Sequence, residues 1–285
     1  MTDEVNTRLP RAVEACAVSF YTGMFPDADR AFVAQAFEWA GMFFTGRHAD
    51  YQAIDARYHD YEHTMQGTLC MVRLLHGRHL AKAQPPLSRK AFELGLLAIL
   101  FHDTGYLKKR DDTEGTGAKY TRTHVLRSAD VVREFLPGKG WAAADVTAIR
   151  NMIRCTGVNV DLKAIPFQND EERMVGYALS TGDLLGQMAA ADYVEKLPVL
   201  YGEFAEAARF DGENAKRAFP FTSAEDMLRK TPAFWEGYVL PKLERDFGGL
   251  HHFLRAPYPD GPNAYLQRVE RNIALLREKI AALPE

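Results

Sequence analysis

His102 and Asp103 stand side by side at the end of an apolar run, Ala91 to Phe101, and well ahead of them lies the cluster Tyr58-His59-Asp60-Tyr61-Glu62-His63. A histidine nitrogen and an adjacent carboxylate can bind one divalent cation, and the second carboxylate oxygen is then free to reach another. An apolar helix that delivers an unpaired carboxylate into a buried place incurs a cost that a cation removes. The chemistry indicated is hydrolysis at a metal centre. Gly105 is expected to let the chain turn sharply, so that the helix ends at the site.

These side chains need rigid elements to position them, and the hydrophobic pattern supplies helices. In Tyr61 to Leu80 the residues Met65, Leu69, Val72 and Leu75 recur at three- and four-residue steps, which predicts a helix with a buried face. Similar patterns predict helices over Asp29 to Phe44, Lys90 to Phe101, Thr123 to Phe135, Ala142 to Cys155, Glu171 to Ala190, Val194 to Ala208, Pro232 to Phe247 and Asn263 to Ala282. The stripe Leu266, Val269, Ile273, Leu276 and Ile280 is expected to pack on the protein's own core, the alternative being another subunit. Val158-Asn159-Val160 is a weak strand candidate, and the fold class expected is all-α. Breaks at Gln84-Pro85-Pro86, Arg110 to Tyr120, Pro137 to Gly140 and Pro257 to Pro262 read as loops within one helical domain, 1–285.

His59 and His63 are four residues apart, so if a helix has begun by Tyr58 they project from one face about 40° apart and address one cavity. A polar helix start, with Asp60 or Glu62 near the positive end of the dipole, accounts for the same residues. His124 opens a predicted helix with Thr121 or Thr123 as its N-cap. His48, His76, His79, His251 and His252 lack such company, read as surface or core residues, and are assigned no role.

The chain has 285 residues, 47% hydrophobic and 26% charged, with a formal net charge of -3, which argues against a surface that coats a polyanion. Nucleic acid is not an expected partner. The acidic start Met-Thr-Asp-Glu-Val-Asn is unlike an export signal, and the apolar clusters Phe37 to Phe44 and Leu94 to Phe101 fall far short of the ~20 residues that span a bilayer. Cys16, Cys70 and Cys155 have no Cys-x-x-Cys spacing. The expectation is a cytoplasmic protein without membrane association, and a homo-oligomer stays open.

Tyr58-His59 with His63, then His102-Asp103, then the distant Asp183 in Ser180-Thr181-Gly182-Asp183-Leu184-Leu185-Gly186-Gln187 resembles the HD-domain metal-dependent phosphohydrolase superfamily. The likeness covers roughly Tyr58 to Asp192, and the phrase around His59 is similar to the histidine motif of cyclic-nucleotide phosphodiesterases. The resemblance implies a multi-helix bundle with a catalytic core of about 55–195 and extra helices in 1–54 and 196–285. It also implies metal ligation by His63, His102, Asp103 and Asp183, with Asp103 central to catalysis and bridging two ions if two are present. His59 matches the histidine that protonates the departing oxygen, a task that an imidazole can perform. His124 resembles an additional histidine of binuclear members, with a phosphate contact as the alternative.

One segment departs from the richer relatives: Met152-Ile153-Arg154-Cys155-Thr156 contains no histidine, so a third metal is not expected. The Gly-Tyr-Pro motif of cyclic-dinucleotide cleavers and the Glu-Asp pair of alarmone hydrolases are also missing. Lys108, Lys109 and Arg110, in the loop between the HD pair and His124, are candidate phosphate contacts. No purine clamp stands out, since Gln187 and Gln267 could both serve and neither has a diagnostic context. The reaction implied is attack of a metal-activated hydroxide on the phosphorus of a nucleotide or cyclic nucleotide, with one or two divalent ions drawn from Mn, Fe, Co, Ni, Zn or Mg. The alternatives are a phosphomonoesterase acting on another small phosphorylated metabolite and a non-catalytic nucleotide-binding module. Tyr201 to Phe204, Phe219-Pro220-Phe221, Phe234-Trp235 and Tyr238 could cover the cavity, although aromatics at helical spacing usually belong to a core.

Overall fold

The three- and four-residue spacing of apolar side chains gives each segment one face to bury, and helix against helix is how that burial is achieved here. The computed structural model describes residues 5–158, 160–211 and 221–283. These residues form α1 (Pro10–Met24), α2 (Ala31–Phe44), α3 (Tyr61–Leu80), α4 (Arg89–Phe101), α5 (His124–Phe135) and α6 (Ala143–Arg154). They continue with α7 (Asp170–Met188), α8 (Tyr193–Phe210), α9 (Ala224–Phe234) and α10 (Ala264–Ala281). Among the described residues there is no strand, only the isolated bridges Tyr51 to Lys109 and Arg255 to Asn263. Among the described residues no helix is long and apolar enough to cross a membrane.

The central pair is α3 against α7, with α1 packed on α3, α4 on both and α10 on α7. One apolar cluster joins α1, α2, α4 and α6 to α3 and α7, and a second gathers Leu185, Met188, Leu197, Trp235, Val269 and Ile273 beneath α8 to α10. The final helix therefore packs on the chain's own core, as its stripe implies. Helix α4 is capped by Ser88, whose side chain accepts from the Ala91 N–H, and Leu96 to Phe101 are all buried. Each such Leu, Ile or Phe contributes about 1.5–3 kcal/mol by burial, which fixes the helix end where His102 and Asp103 emerge.

Several boundaries differ from the sequence expectation for identifiable reasons. Helix α1 was not anticipated, although Pro10 in its first turn and the buried stripe Val13, Ala17, Tyr21 and Met24 are its signature. The expected helix Pro232 to Phe247 starts earlier, at Ala224, because the Ser223 side chain accepts from the Asp226 N–H and caps it. Pro232 sits inside that helix, and the chain continues in π-helical turns over Trp235–Val239 and Lys242–Asp246. Helix α3 begins at Tyr61 with Asp60 as its N-cap, so His59 precedes the helix and does not share a helical face with His63. Helix α5 does open at His124, but Thr123 makes no side-chain cap and Thr121 donates its hydroxyl to the Ala118 carbonyl. Val158 lies in a turn, while Asn159, Phe219 and Pro220 lie outside the described residues.

Candidate metal centre

Three helices deliver four donor groups to one point. His63 comes from the first turn of α3, His102 and Asp103 from the end of α4, and Asp183 from the middle of α7. His63 Nε2 lies 3.3 Å from Asp103 Oδ2 and 3.1 Å from Asp183 Oδ1, and His102 Nε2 lies 3.3 and 3.4 Å from the same two oxygens. His63, His102 and Asp103 are almost wholly buried, with ligand atoms within 4.8 Å of one another. Helices α3 and α7 approach closely because Gly67, Gly182 and Gly186 line their contact. A Cβ on Gly186 would stand 2.7 Å from the Gln66 carbonyl and the Gly67 nitrogen.

The chemistry of this set fits a cation. His102 Nε2, Asp103 Oδ2 and Asp183 Oδ1 are buried without a hydrogen-bond partner among the described residues. Leaving buried polar atoms in that state is costly unless something else binds them. His102 Nδ1 lies 2.7 Å from the Ile99 carbonyl, which can only accept, so Nδ1 carries the proton and Nε2 is the atom turned to the carboxylates. Burial opposes charging of His63, but Asp103 and Asp183 outweigh it and raise its pKa to about 10. Burial likewise opposes ionisation of Asp103, yet His102 and His63 hold it well below the usual carboxylate range, and Asp183 follows it. Without metal a proton on His63 partly fills the role of the cation, and the two compete for the same point.

A second layer of side chains extends the cluster toward solvent. His124 Nε2 lies 3.8 Å from Asp103 Oδ1, the oxygen that faces away from His63, while its Nδ1 is 2.6 Å from the Thr121 carbonyl. Burial keeps His124 below the ordinary histidine range, so its Nε2 offers a lone pair. His59 reaches the site although it lies outside α3: its ring centroid is 5.2 Å from that of His63 and 6.0 Å from that of His124. Tyr106 stacks between His59 and His124, with centroids 4.5 and 4.6 Å away.

What holds His59 is Glu203 of α8, which sequence reasoning did not find. Its Oε2 accepts from His59 Nδ1 at 2.5 Å, and its Oε1 accepts from the Tyr58 N–H at 2.7 Å. The only signal in the sequence was an acid among the aromatics Tyr201 and Phe204, one turn before the buried Ala207. Burial alone would raise the Glu203 carboxyl, but His59 and the backbone N–H groups outweigh it and hold it below the usual glutamate value. Tyr58 donates its hydroxyl to Gln187 Oε1 at 2.9 Å, and Gln187 Nε2 donates to the Asp183 carbonyl at 3.3 Å. Gln187 is thus engaged at both ends in bracing Tyr58 against α7.

The turn after Asp103 is shaped by close approach. The helix ends here as expected, although Gly105 does not take a positive φ. Instead a Cβ there would stand 1.9 Å from the His124 carbonyl oxygen. Ser128 accepts from the Gly105 N–H at 2.8 Å and donates to the His102 carbonyl, and Arg127 donates to the carbonyls of Gly105 and Leu107, both at 2.7 Å. The three loop cations are occupied in building the loop. Lys108 donates to the Gly115 carbonyl and pairs with Asp55 at 3.1 Å, Lys109 donates to Tyr51, and Arg110 donates to the carbonyls of Gly46, His48 and Ala49. A cleft of about 930 Å³ runs beside α3 and α10, past Arg8, Glu62, Gln66 and Tyr265, and the four donor residues do not line it.

A family profile described as Npun_R2479-like matches residues 110–253, just over half of the chain. The chain belongs to the Npun_R2479-like family. The Npun_R2479-like segment contains His124, Asp183 and Glu203, while His59, His63, His102 and Asp103 lie ahead of it. No curated protein matches the chain.

Proposed function

We propose that this chain is a metal-dependent phosphohydrolase of the HD-domain type that cleaves the phosphate ester of a nucleotide or cyclic nucleotide. The observation that carries the reading is the meeting of His63, His102, Asp103 and Asp183, with three of the four donor atoms facing each other and no hydrogen bond to satisfy them. Mixed imidazole and carboxylate donors suit several divalent ions from Mg and Mn to Zn and Ni. Such an ion acidifies water at neutral pH and neutralises charge on phosphoryl oxygens. His124, beside the second oxygen of Asp103, would join a second ion or contact the phosphate.

His59 is the proton donor in this reading. Glu203 takes the Nδ1 hydrogen bond, which leaves Nε2 to hold a proton and release it to the departing oxygen. The stacked Tyr106 keeps the ring from rotating away. This argues for turnover over a module that only binds, because a structural histidine does not require a buried carboxylate to orient it.

The test joins elemental analysis of the purified chain to steady-state assays on cyclic nucleotides, nucleoside monophosphates and nitrophenyl phosphate esters. Asp103→Ala is expected to abolish hydrolysis and to lower bound metal, with helical circular dichroism retained. A metal-free Asp103→Ala chain with full activity, or a wild-type chain inert on every ester with Mn, Ni and Zn supplied, would overturn it.

A further inference from the structure

Glu244, His251 and His252, which have no part in the centre above, converge at a second point. Glu244 lies on the π-helical turn Lys242–Asp246, and the two histidines lie on the 3-10 turn Leu250–Leu254. Between them Gly248 and Gly249 both take positive φ, 64° and 69°, which reverses the chain and folds Glu244 back over the imidazoles. His251 Nε2 is 3.2 Å from Glu244 Oε1, and His252 Nε2 is 3.2 Å from Glu244 Oε2. One carboxylate therefore spans two imidazoles whose ring centroids are 4.1 Å apart. One ligand atom from each of the three residues falls within a 4.8 Å radius of the others.

His251 makes the cluster more than a surface ion pair. It is 1% exposed, and neither ring nitrogen has a hydrogen-bond partner among the described residues. The backbone around it is held in place: Asn263 donates its side-chain N–H to the His251 carbonyl at 2.8 Å, and Leu250 and Phe247 are buried in the two apolar clusters. A rigid pair of imidazoles with a partly exposed carboxylate is a three-donor site with a position left for water.

We propose that Glu244, His251 and His252 bind a divalent transition-metal ion, zinc by preference, as a structural staple. Two imidazoles favour zinc, nickel or cobalt over magnesium or calcium. The Phe253 carbonyl abuts Gly77, which at 1.5 Å rise per residue is about 20 Å along α3 from His63, so this segment packs near the end of α3 remote from the first centre. The ion ties the π-helical turn to the segment that packs on α3 and stabilises that corner of the fold without entering the chemistry.

The experiment uses the untagged full chain, stripped by chelator, reloaded with zinc and passed through gel filtration, with metal content and thermal unfolding as readouts. Glu244→Gln and His252→Ala change exposed or half-exposed side chains, so the fold is retained. Each is expected to lose about one equivalent of zinc and the zinc-dependent rise in Tm, in the wild-type and in the Asp103→Ala background alike. Undiminished zinc and an unchanged Tm response in both variants and both backgrounds would overturn the proposal. Loss confined to Asp103→Ala reads out the first centre and not this one, so the two readings fail separately.

Discussion

Glu203 Oε2 accepts a hydrogen bond from His59 Nδ1 at 2.5 Å, across 144 positions of sequence. That contact explains how a histidine that precedes its helix still faces the cluster formed by His63, His102, Asp103 and Asp183. The short approach, the burial of the carboxylate and its second pair of bonds to the Tyr58 and His59 N–H groups fix the imidazole's tautomer and direction together.

Replacing Glu203 by Gln should therefore act on catalysis through His59. The amide cannot support the charged imidazole, and kcat is expected to fall by about 10²-fold with KM little changed. The profile of kcat against pH should lose or move its histidine limb. Equal kcat and an unaltered profile in Glu203→Gln would remove His59 from the role of proton donor.

The same carboxylate makes a pH-dependent contribution to stability. Its folded pKa is depressed, so its stabilising effect is fully present above the unfolded glutamate value of about 4.3 and is lost as pH falls through the folded value. Urea unfolding of the wild type and Glu203→Gln should differ most near neutrality and converge on acidification. A gap that stays constant or widens in acid contradicts the assigned direction.

Gly105 is predicted to tolerate no Cβ. The obstacle is the backbone of His124, at 1.9 to 2.7 Å, and only movement of the first turn of α5 can relieve it. Gly105→Ala should lose about 1–3 kcal/mol or more in denaturant unfolding, and the loss should be accompanied by weakened binding of any second ion. Wild-type stability in this variant would mean the turn and α5 are not in contact.

Gly186→Ala tests the spacing of α3 and α7. A Cβ there meets the Gln66 and Gly67 backbone at 2.7 Å and should push Asp183 away from His63. Metal affinity measured by competition with a chelating dye is expected to drop by about tenfold or more while the far-ultraviolet spectrum stays helical. Unchanged affinity would show that Asp183 does not depend on this approach.

The helices were legible because their apolar faces are periodic: α3 spans the predicted Tyr61 to Leu80, and α4 ends at Phe101 as expected. His102-Asp103 was legible because it ends a strongly apolar helix, whereas His63 and Asp183 became candidates only as parts of an ordered set that resembles the HD-domain superfamily. Glu203 did not stand out, because a single acid on a helix is ordinary and only the fold reveals that His59 lies opposite. His251 and His252 were hidden by the same logic, as their partner Glu244 joins them through a chain reversal that two glycines make possible. The loop cations show the reverse failure. A run of positive charge suggests a phosphate site, yet Lys108, Lys109 and Arg110 spend their hydrogen bonds on the carbonyls and side chains around Gly46 to Asp55 and Gly115.

The distances in sequence between the clustered residues bear on how the protein matures. His59 and His63 emerge from synthesis early, but Asp183 and Glu203 must also be made and folded before the cluster is complete. A nascent chain that ends just after α4 and the His102-Asp103 pair still lacks Asp183 and Glu203, so the four-donor set is incomplete until α7 has been made. In the proposed metal-bound form the full four-donor grip on the ion would be a late event, and an ion so held would oppose local opening of α3 from α7.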